Sequence, residues 1–192
     1  MKWASRWGIK INVDKTKAVF FSKKKTPLIP SLSIDKKPLA WSKAAKYLGV
    51  TLDKKLNWVE QITESVRKGN AVLAQLYPVI NRKSKLSKKN GLLLYKTVIQ
   101  PIITYGIEVF GYAAKTNINK IQVFQNKCLR IILNAPWFVR NTRIHEEAEV
   151  LFIRDVAIKK CEKLISRSAN SSNPLNQNLG NILIESYNLR NW

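Results

Sequence analysis

Apolar and polar residues change their spacing along the chain at about residue 56. Before that point, apolar residues occur in short runs separated by lysines, prolines and glycines, which is typical of short strands. The runs predict strands at residues 9–12, 18–22, 32–34, 38–41 and 46–52. Strands this short and this few bury little surface, so we expect this part to be incomplete as an independent domain.

From Trp58 onward, apolar residues recur every three or four positions and predict helices at 58–80, 92–112, 117–134 and 153–167. Gly69 lies inside the apolar stripe of the first of these, where it would allow close contact with another helix. The helix at 92–112 is apolar on nearly every side, which predicts a central, buried helix that breaks or kinks at Pro101. Ser87, Asn117 and Thr142 are predicted N-caps.

These elements predict an α+β protein with four segments. Residues 1–56 form a small β-rich part, 57–141 a helical part, 142–167 further helices, and 168–192 a polar tail that we expect to be loose. The four aromatic residues Trp58, Phe124, Trp137 and Phe138 are expected in the core rather than on a surface that stacks bases.

The charge distribution favours a polyanionic partner. The net charge is +22, and residues 1–100 carry 22 Lys and Arg against 5 Asp and Glu, whereas residues 101–192 carry 12 against 7. A solvated lysine-rich surface is the plainer interpretation, but self-repulsion of this size favours nucleic acid as the neutralising partner. No apolar run reaches the ~20 residues that span a bilayer, so we expect no membrane partner. The expected nucleic-acid contacts are Lys54, Lys55, Arg67, Lys68, Arg82, Lys83, Lys85, Lys88, Lys89, Asn126, Lys127 and Arg130.

The thiols and the single histidine argue against metal chemistry. Cys128 and Cys161 lie far apart on apolar stripes, which predicts buried free thiols and a reducing, intracellular compartment. His145 stands beside Glu146 and Glu147, and the pattern favours a surface helix start over acid–base chemistry. We expect no metal site and no catalytic residue in this chain.

The segment KYLGVTLDKKLNW at 46–58 combines an aromatic residue, a glycine and a lysine pair. Tyr47 offers a flat apolar face, Gly49 permits close backbone approach, and Lys54 and Lys55 add positive charge, so the segment suits a sugar-phosphate backbone. Ordinary core packing of a Tyr-Leu-Gly strand is the alternative.

Five segments in order resemble the carboxyl-terminal part of reverse transcriptases from jockey-like non-LTR retrotransposons. WGIKINVDKTKAVFFS at 7–22 resembles the palm segment called motif D, and 46–58 resembles motif E, the primer grip. LLLYKTVIQPIITYG at 92–106 and KIQVFQNKCLRIILNAPWFVRN at 120–141, with Ile144 and His145, resemble the thumb and the connection after it. NPLNQNLGN at 173–181 resembles the polar tail of the family.

The resemblance implies a small β-rich remnant of a polymerase palm followed by a helical thumb bundle. It gives the primer-grip role to Tyr47, Leu48 and Gly49 and the motif D-like positions to Asn12 and Lys15. The implied partner is RNA–DNA or DNA duplex bound without sequence preference, together with the missing fingers and palm. The implied location is nuclear.

The sequence departs from the family at the catalyst. The family uses an aspartate pair in a Tyr/Phe-x-Asp-Asp hairpin, with a third aspartate, to bind two magnesium ions, and no Asp-Asp pair occurs here. We therefore expect a fragment that holds template–primer duplex, binds no cofactor itself and does not synthesise DNA alone, although the whole parent enzyme would need magnesium. Two alternatives remain: a non-enzymatic nucleic-acid or protein-binding module recruited by the host, and a subunit that completes a polymerase on another chain.

Overall fold

A computed structural model of the protein describes residues 6–24, 30–34 and 36–188, without the side chains of 183–188. The chain divides into two compact units, Met1–Gln61 and Ile62–Trp192. Two small antiparallel sheets lie in the first unit and most of the helices in the second. The predicted α+β class is confirmed.

Two hairpins form the sheets of the first unit. Strands β1, Leu32–Ile34, and β2, Lys37–Leu39, pair in antiparallel register, where the sequence predicts strands at 32–34 and 38–41. Asp35, between them, lies outside the described residues. Strands β3, Ala44–Tyr47, and β4, Val50–Asp53, pair with Tyr47 opposite Val50. The prediction of one strand over 46–52 was therefore wrong: the chain reverses at Leu48 and Gly49, which both have positive φ, as a two-residue hairpin turn of this hand requires.

The segment before the hairpins is less regular than the sequence predicts. Val13–Lys15 form a 3₁₀ turn, but in the described part of the chain residues 9–12 and 18–22 are not the predicted strands. Ala18 makes a single parallel bridge to Trp41, and Phe20 packs edge to face on the Trp41 ring at 5.7 Å. A run of apolar residues forms a regular strand only where a partner strand provides a continuous series of backbone hydrogen bonds. Here the bridge between Ala18 and Trp41 takes the place of that series.

The second unit is built from helices joined by short loops. Helix α1 begins in the first unit and continues into the second, and Ser87 caps α2 through a bond from the Asn90 N–H, as predicted. Ala114, not Asn117, is the N-cap of α5, so that helix begins earlier than predicted. The helices are α1 Val59–Ile80, α2 Lys88–Leu94, α3 Gln100–Ile103, α4 Ile107–Phe110, α5 Lys115–Leu133, α6 Asn141–Ala148, α7 Ile153–Ala169 and α8 Pro174–Asn188.

The predicted central helix at 92–112 is present but interrupted. A π-helical turn, Tyr95–Ile99, precedes Pro101, whose missing N–H breaks the regular ladder as expected. The chain then bends at Gly106, which has φ of +72°. A stripe comprising Tyr95, Ile99, Ile103, Ile107 and Phe110 is 0% exposed.

Burial on all sides of this segment was a wrong prediction. Leu93, Tyr105 and Val109 are each half exposed or more, because the other helices cover only one face of it. An apolar residue therefore marks the core here only when it also lies on the covered face.

Close helix contact at Gly69 is confirmed. A Cβ atom there would stand 2.7 Å from Cγ2 of Ile103 and 2.8 Å from Cε1 of Phe124, so only glycine fits. The thiols of Cys128 and Cys161 are buried and free, also as predicted. Burial raises the pKa of the Cys128 thiol to about 12.

The tail from residue 168 is not loose throughout, which corrects the sequence prediction. Pro174–Asn188 form helix α8, which packs against α7. Gly180 lies so close to α7 that a Cβ atom would come within 2.6 Å of the Ala169 nitrogen. The polar composition of this segment gave too little hydrophobic signal to predict a helix that packs through one glycine.

Candidate nucleic-acid interface

The tip of the β3–β4 hairpin carries the three predicted primer-grip residues. The side chains of Tyr47 and Leu48 are 68% and 74% exposed, and Gly49 follows them with φ of +82°. Leu48 itself has φ of +46°, a left-handed conformation that costs a non-glycine residue roughly 1–2 kcal/mol. The turn therefore holds a strained apolar residue where it reaches solvent.

Asp53 fixes the chain directly after this hairpin. Its Oδ1 accepts the N–H groups of Lys55 at 3.0 Å and Asn57 at 3.1 Å, and its Oδ2 accepts that of Trp58 at 2.8 Å. Partial burial would raise the pKa of this carboxyl, but the backbone donors outweigh burial and lower the pKa below its ordinary 3.8. The loop that it organises holds Lys54 and Lys55 exposed.

The hairpin is also attached to the start of α1. The side-chain oxygen of Gln61, a buried residue, accepts the N–H of Thr51 in β4 at 2.9 Å. Trp58 is buried as expected, whereas the preceding Leu56 and Asn57 are exposed. The hairpin, the Asp53 loop and the first turn of α1 are thus joined by hydrogen bonds inside the first unit.

The motif D-like residues organise a turn. Oδ1 of Asn12 accepts the N–H of Lys15 at 3.1 Å, and the Thr16 hydroxyl donates to the Asn12 carbonyl at 2.8 Å. The Asn12 side chain is therefore used in capping, while the Lys15 side chain is exposed.

Most of the predicted cations in the second unit are exposed, and some pair with glutamate. Arg67 donates twice to Glu64, at 2.7 and 2.8 Å, and Lys68 lies 3.8 Å from the same carboxylate. Lys88 lies 3.2 Å from Glu147. Exposed pairs of this kind contribute ~0–1 kcal/mol, so they leave these cations available to a phosphate.

The linker before α2 presents the densest group of cations. Oδ1 of Asn81 accepts the Lys83 N–H at 2.7 Å, and the Ser84 hydroxyl oxygen accepts that of Leu86 at 3.0 Å, so the backbone is ordered locally. Within the described part of the chain, no ion pair is formed by the exposed side chains of Lys54, Lys55, Arg82, Lys83, Lys85, Lys89 and Lys127.

The three predicted contacts on α5 do not form one set. Lys127 is exposed, but Oδ1 of Asn126 accepts from Gln122 at 2.8 Å and lies 2.9 Å from His145 Nε2. The guanidinium of Arg130 donates to the carbonyls of Pro136, Trp137 and Val139. Asn126 and Arg130 are thus committed to internal bonds, which the sequence pattern did not indicate.

His145 is buried, so its interpretation as a surface helix start was wrong. The side chain is 4% exposed, stacks on Phe152 at 3.9 Å and places Nδ1 2.8 Å from the Val150 carbonyl oxygen. Burial lowers the pKa of the imidazole from its ordinary 6.5, against the Val150 carbonyl and Asp155, which both raise it.

Two glutamines that the sequence analysis missed join His145 in a buried network. Nε2 of Gln125 donates to the Tyr95 hydroxyl at 3.0 Å and to the Leu151 carbonyl, and Oε1 of Gln122 accepts the Ile153 N–H at 2.8 Å. Gln125 lies on the buried face of α5, and a glutamine inside an apolar stripe is the signal that could have indicated such a network.

Trp137 and Phe138 are exposed, at 89% and 69%, so their predicted place in the core was wrong. They follow Pro136 in the loop between α5 and α6, and their rings meet edge to face at 5.9 Å. Phe124 does lie in the core, as predicted.

Neither a metal site nor a membrane span is found in the described part of the chain. There, no three or more His, Cys, Asp or Glu residues come together to hold an ion. No helix among those residues has the length and apolar character to cross a membrane.

Comparison with known proteins gives clear relatives. The chain is 33% identical over 179 residues to the RNA-directed DNA polymerase from mobile element jockey of Drosophila melanogaster, covering 93% of the chain and 19% of that protein. It is 36% identical over 175 residues to the probable RNA-directed DNA polymerase from transposon X-element of the same species, covering 91% and 19%. A third relative, from transposon BS, is 35% identical over 166 residues.

The chain thus spans about a fifth of the length of these relatives. No family model matches it, and no solved structure shows significant similarity to it.

Proposed function

Since the chain belongs by sequence to the RNA-directed DNA polymerases of jockey-like non-LTR mobile elements, we propose that it is a fragment that holds template–primer duplex. In this proposal residues 1–56 are the end of the palm, residues 57–141 are the thumb, and residues 142–167 are further helices after it. The relatives' names supply the substrate class, and the net charge of +22 supports it.

The observation that carries the proposal is the strained, exposed Leu48 beside Tyr47. The two-residue turn requires positive φ at this position, which asparagine adopts at lower cost than leucine. Because an exposed leucine gains nothing from the core, the choice of leucine here favours a functional contact. At the tip of a hairpin anchored by Asp53 and Gln61, the two side chains would press on the sugars of the primer strand. Positioning of this kind matters because small displacements of a reacting oxygen are costly in rate.

Phosphate contacts would supply most of the affinity. Lys54 and Lys55 follow the hairpin, and the second unit adds the linker cations and Lys127, Arg67, Lys68 and Lys88. Such contacts position a duplex without reading its sequence. Asn126 and Arg130 would support the fold rather than touch phosphate, since their polar atoms already have internal partners.

We propose that the chain adds no nucleotides by itself. The sequence has no Asp-Asp pair, and the Asp53 carboxylate, whose oxygens accept three backbone N–H groups, is unsuited to holding magnesium. The described residues therefore do not fit the metal that the whole polymerase is expected to use. Lys15 would be a solvated turn lysine in this fragment.

The test measures binding and synthesis on the same RNA–DNA hybrid. Fluorescence anisotropy should show sequence-independent binding that weakens by roughly 10³–10⁵ between 50 and 200 mM salt if ~6–10 phosphates are contacted. Primer extension with all four dNTPs should give no product. Nucleotide addition would contradict the assignment as a fragment without catalysis, and absence of binding at low salt would contradict the whole proposal.

A paired substitution tests the grip itself. Y47A with L48A should weaken binding to the hybrid, whereas L93A, which truncates a leucine also more than half exposed but in the second unit, should not. Equal affinities of the two variants would remove the primer-grip assignment while leaving the phosphate contacts in place.

A further inference from the structure

The loop between α5 and α6 presents two aromatic rings to solvent on a rigid support. The Val139 N–H donates to the Pro136 carbonyl at 3.2 Å, which closes a tight turn with Trp137 and Phe138 at its two central positions. Trp137 is 89% exposed, so most of its indole is open to a ligand.

Arg130 holds this turn from the side of α5. Its Nη1 donates to the Pro136 carbonyl at 2.8 Å and more weakly to that of Trp137, and its Nη2 donates to the Val139 carbonyl at 2.6 Å and to Oδ1 of Asn141 at 2.9 Å. One guanidinium thus fixes the backbone on both sides of the exposed rings. A fixed turn spares a ligand the entropy of ordering the loop.

The sequence on both sides of the rings carries positive charge. Between Glu108 and Glu146 the sequence has six Lys and Arg and no Asp or Glu. Arg140 and Arg143 follow the turn directly and are exposed, and Arg143 reaches Glu146 only at 3.5 Å with both side chains largely solvated. A protein partner with an apolar groove would accommodate the two rings but would offer nothing to Arg140 and Arg143.

We propose that Trp137 and Phe138 form a stacking platform for unpaired nucleobases, with Arg140 and Arg143 contacting the phosphates of the same strand. Single-stranded nucleic acid is recognised by this combination of open aromatic faces and nearby cations. The platform extends the proposed function, on which it rests, from duplex to the single strand continuous with it. Because every base has an aromatic face, the platform would show little sequence preference.

The test compares three labelled ligands: a blunt RNA–DNA hybrid, the same hybrid with a single-stranded overhang of about ten nucleotides, and that overhang made abasic. The wild-type protein should bind the natural overhang more tightly than the abasic one, which has the same charge but no bases. The double variant W137A/F138A should lose about 5- to 100-fold in affinity for the natural overhang and keep its affinity for the blunt hybrid.

Two variants serve as controls. W137Y/F138Y keeps flat rings and should retain most of the preference for the natural overhang. L175A removes another highly exposed apolar side chain, on α8, and should change none of the three affinities. Because both aromatic side chains lie mainly in solvent, the thermal melt of W137A/F138A should match that of the wild type, which excludes misfolding as the cause.

The outcomes separate this inference from the proposed function. Binding to the blunt hybrid, with equal affinity for natural and abasic overhangs, would overturn the platform alone. Unchanged affinities in W137A/F138A would likewise overturn it and would leave an apolar protein partner as the occupant of the rings. Failure of the wild-type protein to bind any of the three ligands would instead remove the proposed function.

Discussion

The carboxylate of Asp53 accepts the backbone N–H of Trp58 at 2.8 Å, across five residues that join the last strand to the first long helix. Leu56 and Trp58, inside this loop, both have positive φ, so the loop is strained twice. One side chain with three backbone donors offsets that strain and sets where α1 begins.

Replacing Asp53 should destabilise the protein. D53A removes all three acceptor bonds. A hydrogen bond to a charged group contributes ~1.5–3 kcal/mol net, and the three contributions do not add fully because Asp53 is only partly buried, so we expect a loss of about 2 kcal/mol in the free energy of unfolding. D53N keeps one oxygen acceptor and should lose about half as much. Chemical denaturation measures the change, and D14N, at an exposed aspartate, is the control.

The effect of Asp53 should depend on pH. Its pKa is lower in the folded than in the unfolded protein, so the stability that it contributes is fully present above the ordinary value of 3.8 and is lost as the pH falls through the folded-state pKa. The difference between wild type and D53N should therefore be constant near neutral pH and shrink below about pH 4. A difference that persisted under acid conditions would show that the charge is not the cause.

Features that depend on the spacing or type of neighbouring residues could be predicted from the sequence, whereas features that depend on unusual backbone angles or on contacts between distant residues could not. Helix α1 and its glycine contact follow from a repeated spacing, and the cap at Ser87 follows from one residue type at one position. The reversal at Leu48 was missed because leucine rarely adopts positive φ. Trp137 was misplaced because its exposure depends on Arg130, seven residues away, holding the turn.

Gly69 should not tolerate a methyl group. Alanine at a helix interior is normally favourable by roughly 1 kcal/mol, but here a Cβ would overlap Ile103 and Phe124, and overpacking costs ~1–3 kcal/mol. We expect G69A to lower the melting temperature. A71G, at an exposed position two residues later, should cost only the difference in helix propensity between alanine and glycine. A stabilising effect of G69A would contradict the close contact.

His145 should make the protein less stable as the solution becomes mildly acidic. Its pKa is lowered by burial, so the folded state binds fewer protons than the unfolded state between the folded-state pKa and 6.5, and stability falls as the pH drops through that range. Facing it are Val150, Asn126 and Gln122, which are neutral, and Asp155, which acts against the shift.

The measurement for His145 compares wild type with H145Q from about pH 7.5 to 5. H145Q should cost ~1–3 kcal/mol at neutral pH through lost bonds, and that cost should shrink on acidification as the wild type loses stability. If the free energies of unfolding of the two proteins changed in parallel with pH, the imidazole would not take up a proton on unfolding in this range.

The linker cations should account for a defined share of the salt dependence. Each phosphate contact adds ~0.9 to the slope of log affinity against log salt for a B-form duplex, so replacing Arg82, Lys83, Lys85 and Lys89 by Gln should lower the slope by roughly 3–4. The matched control replaces four exposed cations of α7, namely Arg154, Lys159, Lys163 and Arg167. Equal salt-dependence slopes for the two variants would mean that the affinity depends on the net charge of the protein and not on phosphate contacts made by the linker.

Leu48→Asn should improve the fold and impair the grip. Asparagine followed by glycine is favoured in a hairpin turn with two positive φ values, so L48N should relieve up to about 1 kcal/mol of strain and raise the melting temperature. It also removes the exposed apolar side chain that the primer grip would use, and affinity for the hybrid should fall. G49A is the contrasting control, because it strains the same turn at φ of +82° and should lower stability while leaving Leu48 in place. Binding that survived L48N would show that the exposed leucine is not kept in this turn for contact with the primer.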